Sequence, residues 1–263
     1  MTASIGFIGL GNMGAAMVRG LTGVSVHGAD LNREFLESLR DDCGLIPANS
    51  ITELAETCDY LVLAVKPQHA KSVCDELAPV LQQSQCLLSI CAGLTSQRLK
   101  EWTGSTCPVV RIMPNTPALV GEGVFAVCLD DESLTFEQKS FVGEIFKSLG
   151  QVHIMPETSF DAFTAVIGSG PAYVCYFIEA LIESAVELGL ARPQATEMVY
   201  GLFSGTTKMC IQSDKHVSQL REMVTSPAGT TIEALIHMDR QAVRASIIDA
   251  AKKSFARSVE LGK

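Results

Sequence analysis

Short apolar runs alternate with amphipathic stretches through the first part of the chain. Ser4–Ile8, Val24–Ala29, Tyr60–Val65, Leu87–Ile90, Val109–Met113 and Val124–Leu129 have strand length, with Val152–Ile154 as a shorter piece and Gly44–Ile46 as a short segment of unassigned type. Between them, Asn12–Thr22, Arg33–Arg40, Lys71–Leu81, Ser96–Trp102 and Phe136–Leu149 space their apolar side chains as helices do, and Ile51–Glu56 is a further short segment of unassigned type. Such alternation predicts crossover units and a largely parallel, doubly wound sheet. After about residue 155 the strands stop, and Thr158–Leu190, Pro193–Ile211 and Gln241–Leu261 read as long helices. Pro193 suits a first helical turn, and Gly189 suits the end of the helix before it. The expected plan is an α/β Rossmann-like domain over 1–155 followed by an all-α domain over 156–263.

Composition supports two well-buried domains. Hydrophobic residues make up 47% and charged residues 19%, below the roughly 25% charged typical of globular chains. The net charge of −9 gives no electrostatic footprint for nucleic acid or an anionic membrane. Nine cysteines form no C-x-x-C pair, and Cys91 and Cys128 follow apolar runs. Free, buried thiols in a reducing cytoplasm are therefore expected. The segment MTASIGFIGLGNMG lacks the basic region and cleavage site of a secretory leader. Ala162–Ile178 carries no formal charge and approaches bilayer-spanning length. Gly168, Gly170 and Pro171 interrupt it, and Asp161 and Glu179 bound it, so a buried helix pair is the expectation.

The first strand runs into Gly9-Leu10-Gly11-Asn12-Met13-Gly14, a G-x-G-x-x-G match that opens a helix. In that context each glycine has a separate duty: Gly9 makes the tight turn, Gly11 lets a pyrophosphate approach, and Gly14 permits close helix–strand packing. The phosphates of a dinucleotide would rest on the helix N-terminus. Asp30, about twenty positions after Gly9, is placed to accept from ribose hydroxyls and favours NADH. Asn32 and Arg33 follow at once and suit the 2′-phosphate of NADPH. Ala64-Val65-Lys66-Pro67 and the Ala92-Gly93 turn after Cys91 also fall at strand ends, where such sheets bind ligands. Pro114 and Pro117 stiffen the loop holding Asn115 and Thr116. The five histidines are dispersed and show no metal-ligand spacing.

Gly9–Gly14, Ala64–Pro67, Arg111-Ile112-Met113-Pro114-Asn115-Thr116-Pro117, Gly168-Ser169-Gly170-Pro171-Ala172-Tyr173 and Val224-Thr225-Ser226-Pro227-Ala228-Gly229-Thr230-Thr231 together resemble the pyrroline-5-carboxylate reductases, in the family's order and over nearly the whole chain. The resemblance implies a Rossmann domain followed by a helical dimerisation domain. It implies reduction of pyrroline-5-carboxylate to L-proline with NADPH or NADH, the mixed signal around Asp30 leaning to NADPH. It also implies a cytoplasmic homodimer or larger homo-oligomer, with no nucleic acid and no membrane. The cofactor residues would be Gly9–Gly14 (with Leu10, Gly11, Asn12 and Met13), Asp30, Asn32, Arg33, Ala64, Val65, Lys66, Pro67, Ala92, Gly93, Pro114 and Asn115. Val224, Ser226, Gly229, Thr230 and Thr231 would bind substrate, with Thr231 as the catalytic residue near the imine nitrogen. The chain departs from the family's Ser-Pro-Gly-Gly-Thr-Thr at Ala228, a substitution expected to be tolerated at a helix start.

Two other readings share the glycine motif. A β-hydroxyacid dehydrogenase would need an acid/base residue for alcohol–ketone chemistry, a lysine in the first interdomain helix. Gly168–Glu179 contains none. A non-catalytic NAD(P)-binding regulator would keep the glycines and lose the loop that ends at Thr230-Thr231, which is intact here.

Overall fold

A computed structural model describes residues 3–262, so Met1 and Thr2 of the segment compared with a leader lie outside it. In chain order the elements are β1 (Ser4–Ile8), α1 (Asn12–Gly20), β2 (Ser25–Ala29), α2 (Arg33–Cys43), β3 (Ile46–Pro47), α3 (Ile51–Thr57), β4 (Tyr60–Leu63), α4 (Pro67–Leu77), β5 (Cys86–Ser89), α5 (Ser96–Trp102), β6 (Val109–Met113), β7 (Gly123–Cys128), α6 (Phe136–Ile145) and β8 (Gly150–Ile154). They build one sheet in the order β3-β2-β1-β4-β5-β6-β7-β8. Side chains alternate across it: Tyr60 and Val62 enter one core cluster, and Leu61 and Leu63 the other. Both faces are thus covered, which is why these strands read as continuous apolar runs.

The sheet is largely parallel, as expected, with one reversal. β6 and β7 pair antiparallel, while β7 and β8 are parallel to each other. Only a short loop with a 3₁₀ turn (Thr116–Val120) joins β6 to β7. A parallel crossover needs about a dozen residues or more, so the chain turns back on itself.

The chain divides into two compact units, and the division differs from the expected boundary at 155. One unit runs through Ser169 and regains the chain from Ser254; the other is Gly170–Lys253. The reason lies in packing. In α7 (Phe160–Phe163), Phe160 and Phe163 join a cluster with Ala126 and Cys128 of β7. Asp161 accepts from the Ser258 hydroxyl at 2.6 Å. The interruption expected at Gly168–Pro171 takes the form of a π-helical turn, Thr164–Gly168, before α8 begins.

The second unit holds α8 (Gly170–Glu187), α9 (Arg192–Gln212), α10 (Val217–Met223), α11 (Thr230–Arg240) and most of α12 (Val243–Leu261). Its core is small, built on Ile182, Ala195 and Val199. Large apolar side chains stay open, including Tyr176 at 71% and Met198 at 52% exposed. A segment over 157–187 is long and apolar enough to cross a membrane by length and composition, although the π turn and Pro171 interrupt it. An apolar surface this large on a protein marks an interaction face.

Candidate functional site

The loop after β1 gives its three glycines three different reasons to be glycine. Gly9 adopts φ +89°, and a Cβ there would lie 2.8 Å from Val65 Cγ1. A Cβ on Gly14 would lie 2.7 Å from the Gly9 carbonyl oxygen. By contrast, a Cβ on Gly11 would meet no atom within 4 Å. Nothing in the protein forbids a side chain there, so the position faces open space at the helix entrance. Gly11 is also the N-cap of α1, where no side chain caps the helix. Asn12, Met13 and Gly14 form the first turn, whose N–H groups favour an anion. The residues therefore fit a dinucleotide pyrophosphate.

Asp30 follows β2 and is bound to this loop. One carboxylate oxygen accepts from Leu10 N–H at 2.6 Å and the other from Asn32 N–H at 2.9 Å. Asn32 caps α2, its side chain accepting from Phe35 N–H at 3.1 Å. Arg33 donates to the carbonyls of Ala48 and Asn49, at 3.1 and 2.7 Å. All three polar side chains thus have internal work, which the sequence reading did not include. Asp30 and Arg33, though not Asn32, border a cavity of about 540 Å³ lined also by Gly9, Leu31, Asn49 and His69. Asn49 and His69 escaped the sequence reading. The Pro67 start of α4, directly after β4, was the available signal for His69.

The other strand ends converge on the same edge. Ala64 N–H donates to the Ile8 carbonyl at 2.9 Å, and Val65 borders Gly9. Lys66 is exposed as the N-cap of α4, with Pro67 in its first turn. Cys91 Sγ donates to the Val65 carbonyl at 3.2 Å. Burial pushes this thiol up to about 11, against a smaller opposing effect of the Ser89 hydroxyl, so it stays protonated at neutral pH. Beside it, Ala92 leads to Gly93, whose φ is +77°. A Cβ on Gly93 would lie 3.2 Å from the Leu261 carbonyl, so the end of α12 seats on this turn. Pro114 is buried, and Asn115 is 6% exposed with its amide turned inward. Among the described residues, no three His, Cys, Asp or Glu side chains gather to hold a metal ion.

In the helical unit the segment from Val224 to Thr231 links α10 to α11. Val224 ends α10 and is exposed. Gly229 N–H donates to the Ser226 carbonyl at 3.1 Å, closing a turn with Pro227 and Ala228 at its centre. Ala228 adopts φ +53°. Proline second and positive φ third is the pattern of a type II turn, whose third position favours glycine. Ala228 therefore lies in a turn rather than at a helix start, and it carries strain. Gly229 is fixed differently, since a Cβ there would lie 2.5 Å from Ser226 Oγ. Replacing Ala228 with glycine is expected to stabilise the protein by up to about 1 kcal/mol, the left-handed penalty less the extra unfolded-state freedom. Thermal unfolding checks this; an unchanged or lower Tm would contradict it.

Gly229 caps α11 without a side-chain hydrogen bond. The first turn, Thr230 and Thr231, therefore offers backbone N–H groups to an anion, with two hydroxyls alongside. Thr231 is half-buried.

Residues 157–261 match the family described as "Pyrroline-5-carboxylate reductase dimerisation", and residues 4–93 match "NADP oxidoreductase coenzyme F420-dependent". The pyrroline-5-carboxylate reductase of Escherichia coli (strain K12) is 35% identical over 269 residues, covering 100% of both chains. A crystal structure of the Plasmodium falciparum pyrroline carboxylate reductase with NADP bound is 34% identical with a TM-score of 0.90, covering 99% of this chain and 98% of that one. A structure of a pyrroline-5-carboxylate reductase from Coxiella burnetii is 32% identical with a TM-score of 0.91 and covers 100% of both chains.

Proposed function

The chain belongs to the pyrroline-5-carboxylate reductase family, and from that premise we propose how its residues reduce 1-pyrroline-5-carboxylate to L-proline. One observation carries the reading: a full-length relationship in which Thr230-Thr231 stand at the α11 entrance. NADPH is the donor, in keeping with the NADP held by the Plasmodium relative.

The Gly9–Gly14 loop holds the pyrophosphate on the α1 N-terminus, with Gly11 giving the space. Ala64–Pro67, Ala92-Gly93 and Pro114-Asn115 shape the strand ends along which the cofactor lies. Arg33 supplies positive charge beside Asn32 for the 2′-phosphate. Asp30 orders Leu10 and Asn32 and also lines the cavity, where its carboxylate keeps acceptor capacity for the ribose. Bound NADPH supplies a hydride for the imine carbon.

The substrate is a cyclic imine with a carboxylate. The carboxylate rests on the α11 N-terminus, with the Ser226 and Thr230 hydroxyls assisting. The Thr231 hydroxyl hydrogen-bonds the ring nitrogen, and the Val224 backbone lies nearby. A threonine hydroxyl is a poor acid, so Thr231 orients and polarises the C=N bond while solvent supplies the proton. The hydride forms the new C–H bond, the π pair moves to nitrogen, and the proton completes the amine.

The open apolar faces of α8 and α9 are covered by a second copy of the chain, giving at least a homodimer. The setting is cytoplasmic, in keeping with nine free cysteines. The discriminating experiment offers the protein either the imine with NADPH or 3-hydroxy acids with NADP⁺. Turnover of the imine alone is expected. Turnover of the hydroxy acids alone would return the reading to a β-hydroxyacid dehydrogenase.

A further inference from the structure

The side chain of Asn115 joins three segments of the nucleotide-binding unit. It lies between Pro114 and Thr116, just beyond the carboxyl end of β6. Its Oδ1 accepts from Val124 N–H, on β7, at 2.8 Å. Its Nδ2 donates to the Ile167 carbonyl, in the π turn, at 3.3 Å. At 6% exposed, this amide has both its donor and its acceptor side committed to backbone. That use competes with a direct contact to a cofactor.

The Ile167 carbonyl sits where the α-helical donor is missing. In a continuing α-helix it would accept from the N–H four residues on. That residue is Pro171, which has no N–H. The turn already has one unsatisfied group, because Thr164 Oγ1 is buried without a hydrogen-bond partner. A second would be costly in so small a region. The same segment is also held on β6 one turn earlier: Arg111, buried in β6, bonds Glu157 at 3.1 Å and stacks over Phe160 at 4.8 Å. Close packing completes the arrangement, since a Cβ on Gly168 would lie 3.0 Å from Met113 Cε.

We propose that Asn115 is a positioning residue for the reduction, fixing the Pro114–Pro117 loop against the π turn by supplying the hydrogen bond that Pro171 withholds from Ile167. The loop lies at the carboxyl edge of the sheet, where a dinucleotide's reactive end is bound in such folds. A loop displaced there lowers the rate of the chemical step more than it weakens the hold on the adenine and phosphates. The proposal rests on the reductase reading for its kinetic consequence. Its structural part, the pairing of Asn115 with the carbonyl whose α-helical donor position is Pro171, stands apart from that reading.

The test is a double-mutant cycle on the full chain, combining Asn115→Asp with Pro171→Ala. Aspartate keeps the acceptor for Val124 but cannot donate to Ile167. Asn115→Asp alone is expected to lower kcat by about tenfold or more, as for a buried carbonyl left unpaired, with the Kd for NADPH changed by less than about threefold. In the Pro171→Ala background, residue 171 brings its own N–H, and the penalty of Asn115→Asp should fall below about threefold. The melting temperatures of the four proteins should show the same coupling. An unchanged kcat in Asn115→Asp, equal penalties in both backgrounds, or an NADPH Kd that rises in step with the loss of kcat would overturn the proposal. If Asn115→Asp fails to fold, the double variant must fold, and its failure to do so overturns the proposal too. A wild-type protein inactive on the imine would defeat the reductase reading, while the melting cycle would still decide the pairing.

Discussion

Replacing Thr231 with alanine is expected to lower kcat/KM for the imine by about 100-fold or more, the usual cost of removing one hydrogen-bond donor aimed at a reacting centre. The expectation follows from position. Thr231 is half-buried in the first turn of α11, directly beyond a cap that offers no side chain. Its hydroxyl is therefore set beside N–H groups that attract the substrate's carboxylate. Alanine is a better helix former than threonine, so lost activity is not to be traced to a failed helix. NADPH affinity should stay the same, because the glycine loop belongs to the other compact unit. Thr231→Ser should keep most of the activity, since it keeps the donor. Steady-state kinetics and NADPH titration check all three points. Unchanged kinetics in Thr231→Ala would remove this hydroxyl from the reaction.

The second large effect separates two glycines of one motif. Gly11→Ala is expected to leave the fold nearly as stable as before, because its φ is −60° and its Cβ would meet nothing within 4 Å. It should nevertheless weaken NADPH binding by about tenfold or more, since the methyl group occupies the space through which the backbone approaches pyrophosphate. Gly14→Ala should behave in the opposite sense. Its methyl would lie 2.7 Å from the Gly9 carbonyl oxygen, and such overpacking costs about 1–3 kcal/mol of stability. Melting curves and NADPH titrations on both variants check the contrast. Similar Tm losses in the two proteins, or undiminished NADPH binding by Gly11→Ala, would contradict it.

Much of this was legible in the sequence because short-range chemistry set it. The bounds of α5 and β6 follow from local signals: Thr95 caps α5 by accepting from Arg98 N–H, and Val109–Met113 is buried or nearly so throughout. The glycine fingerprint was readable because each position answers a backbone requirement. The direction of β7 was not readable, since side-chain alternation is the same in parallel and antiparallel strands. The π turn was hidden inside an uncharged run, where apolar spacing does not distinguish one helical winding from another. α10 was missed for a different reason. Its only fully buried side chain is Leu220, while Val217 and Met223 face outward. The pattern therefore lacks a core-facing stripe within one chain.

At the site, residue types were easier to read than partners. Asp30, Asn32 and Arg33 were expected to meet the ribose and its phosphate, yet each also serves the protein. Leu10, Phe35, Ala48 and Asn49 supply backbone partners that no local spacing announces. Asn115 is similar, because Ile167 lies far along the chain from it. Ala228 was recognised as a departure from the family. Its consequence depended on φ, which only the structure provides.

The most direct measurement follows NADPH oxidation by the purified protein with pyrroline-5-carboxylate as substrate, together with the amount of L-proline formed. The expected result is imine-dependent oxidation yielding one proline for each NADPH consumed. Absence of proline with both NADPH and NADH, from a folded protein that binds the cofactor, would contradict the account.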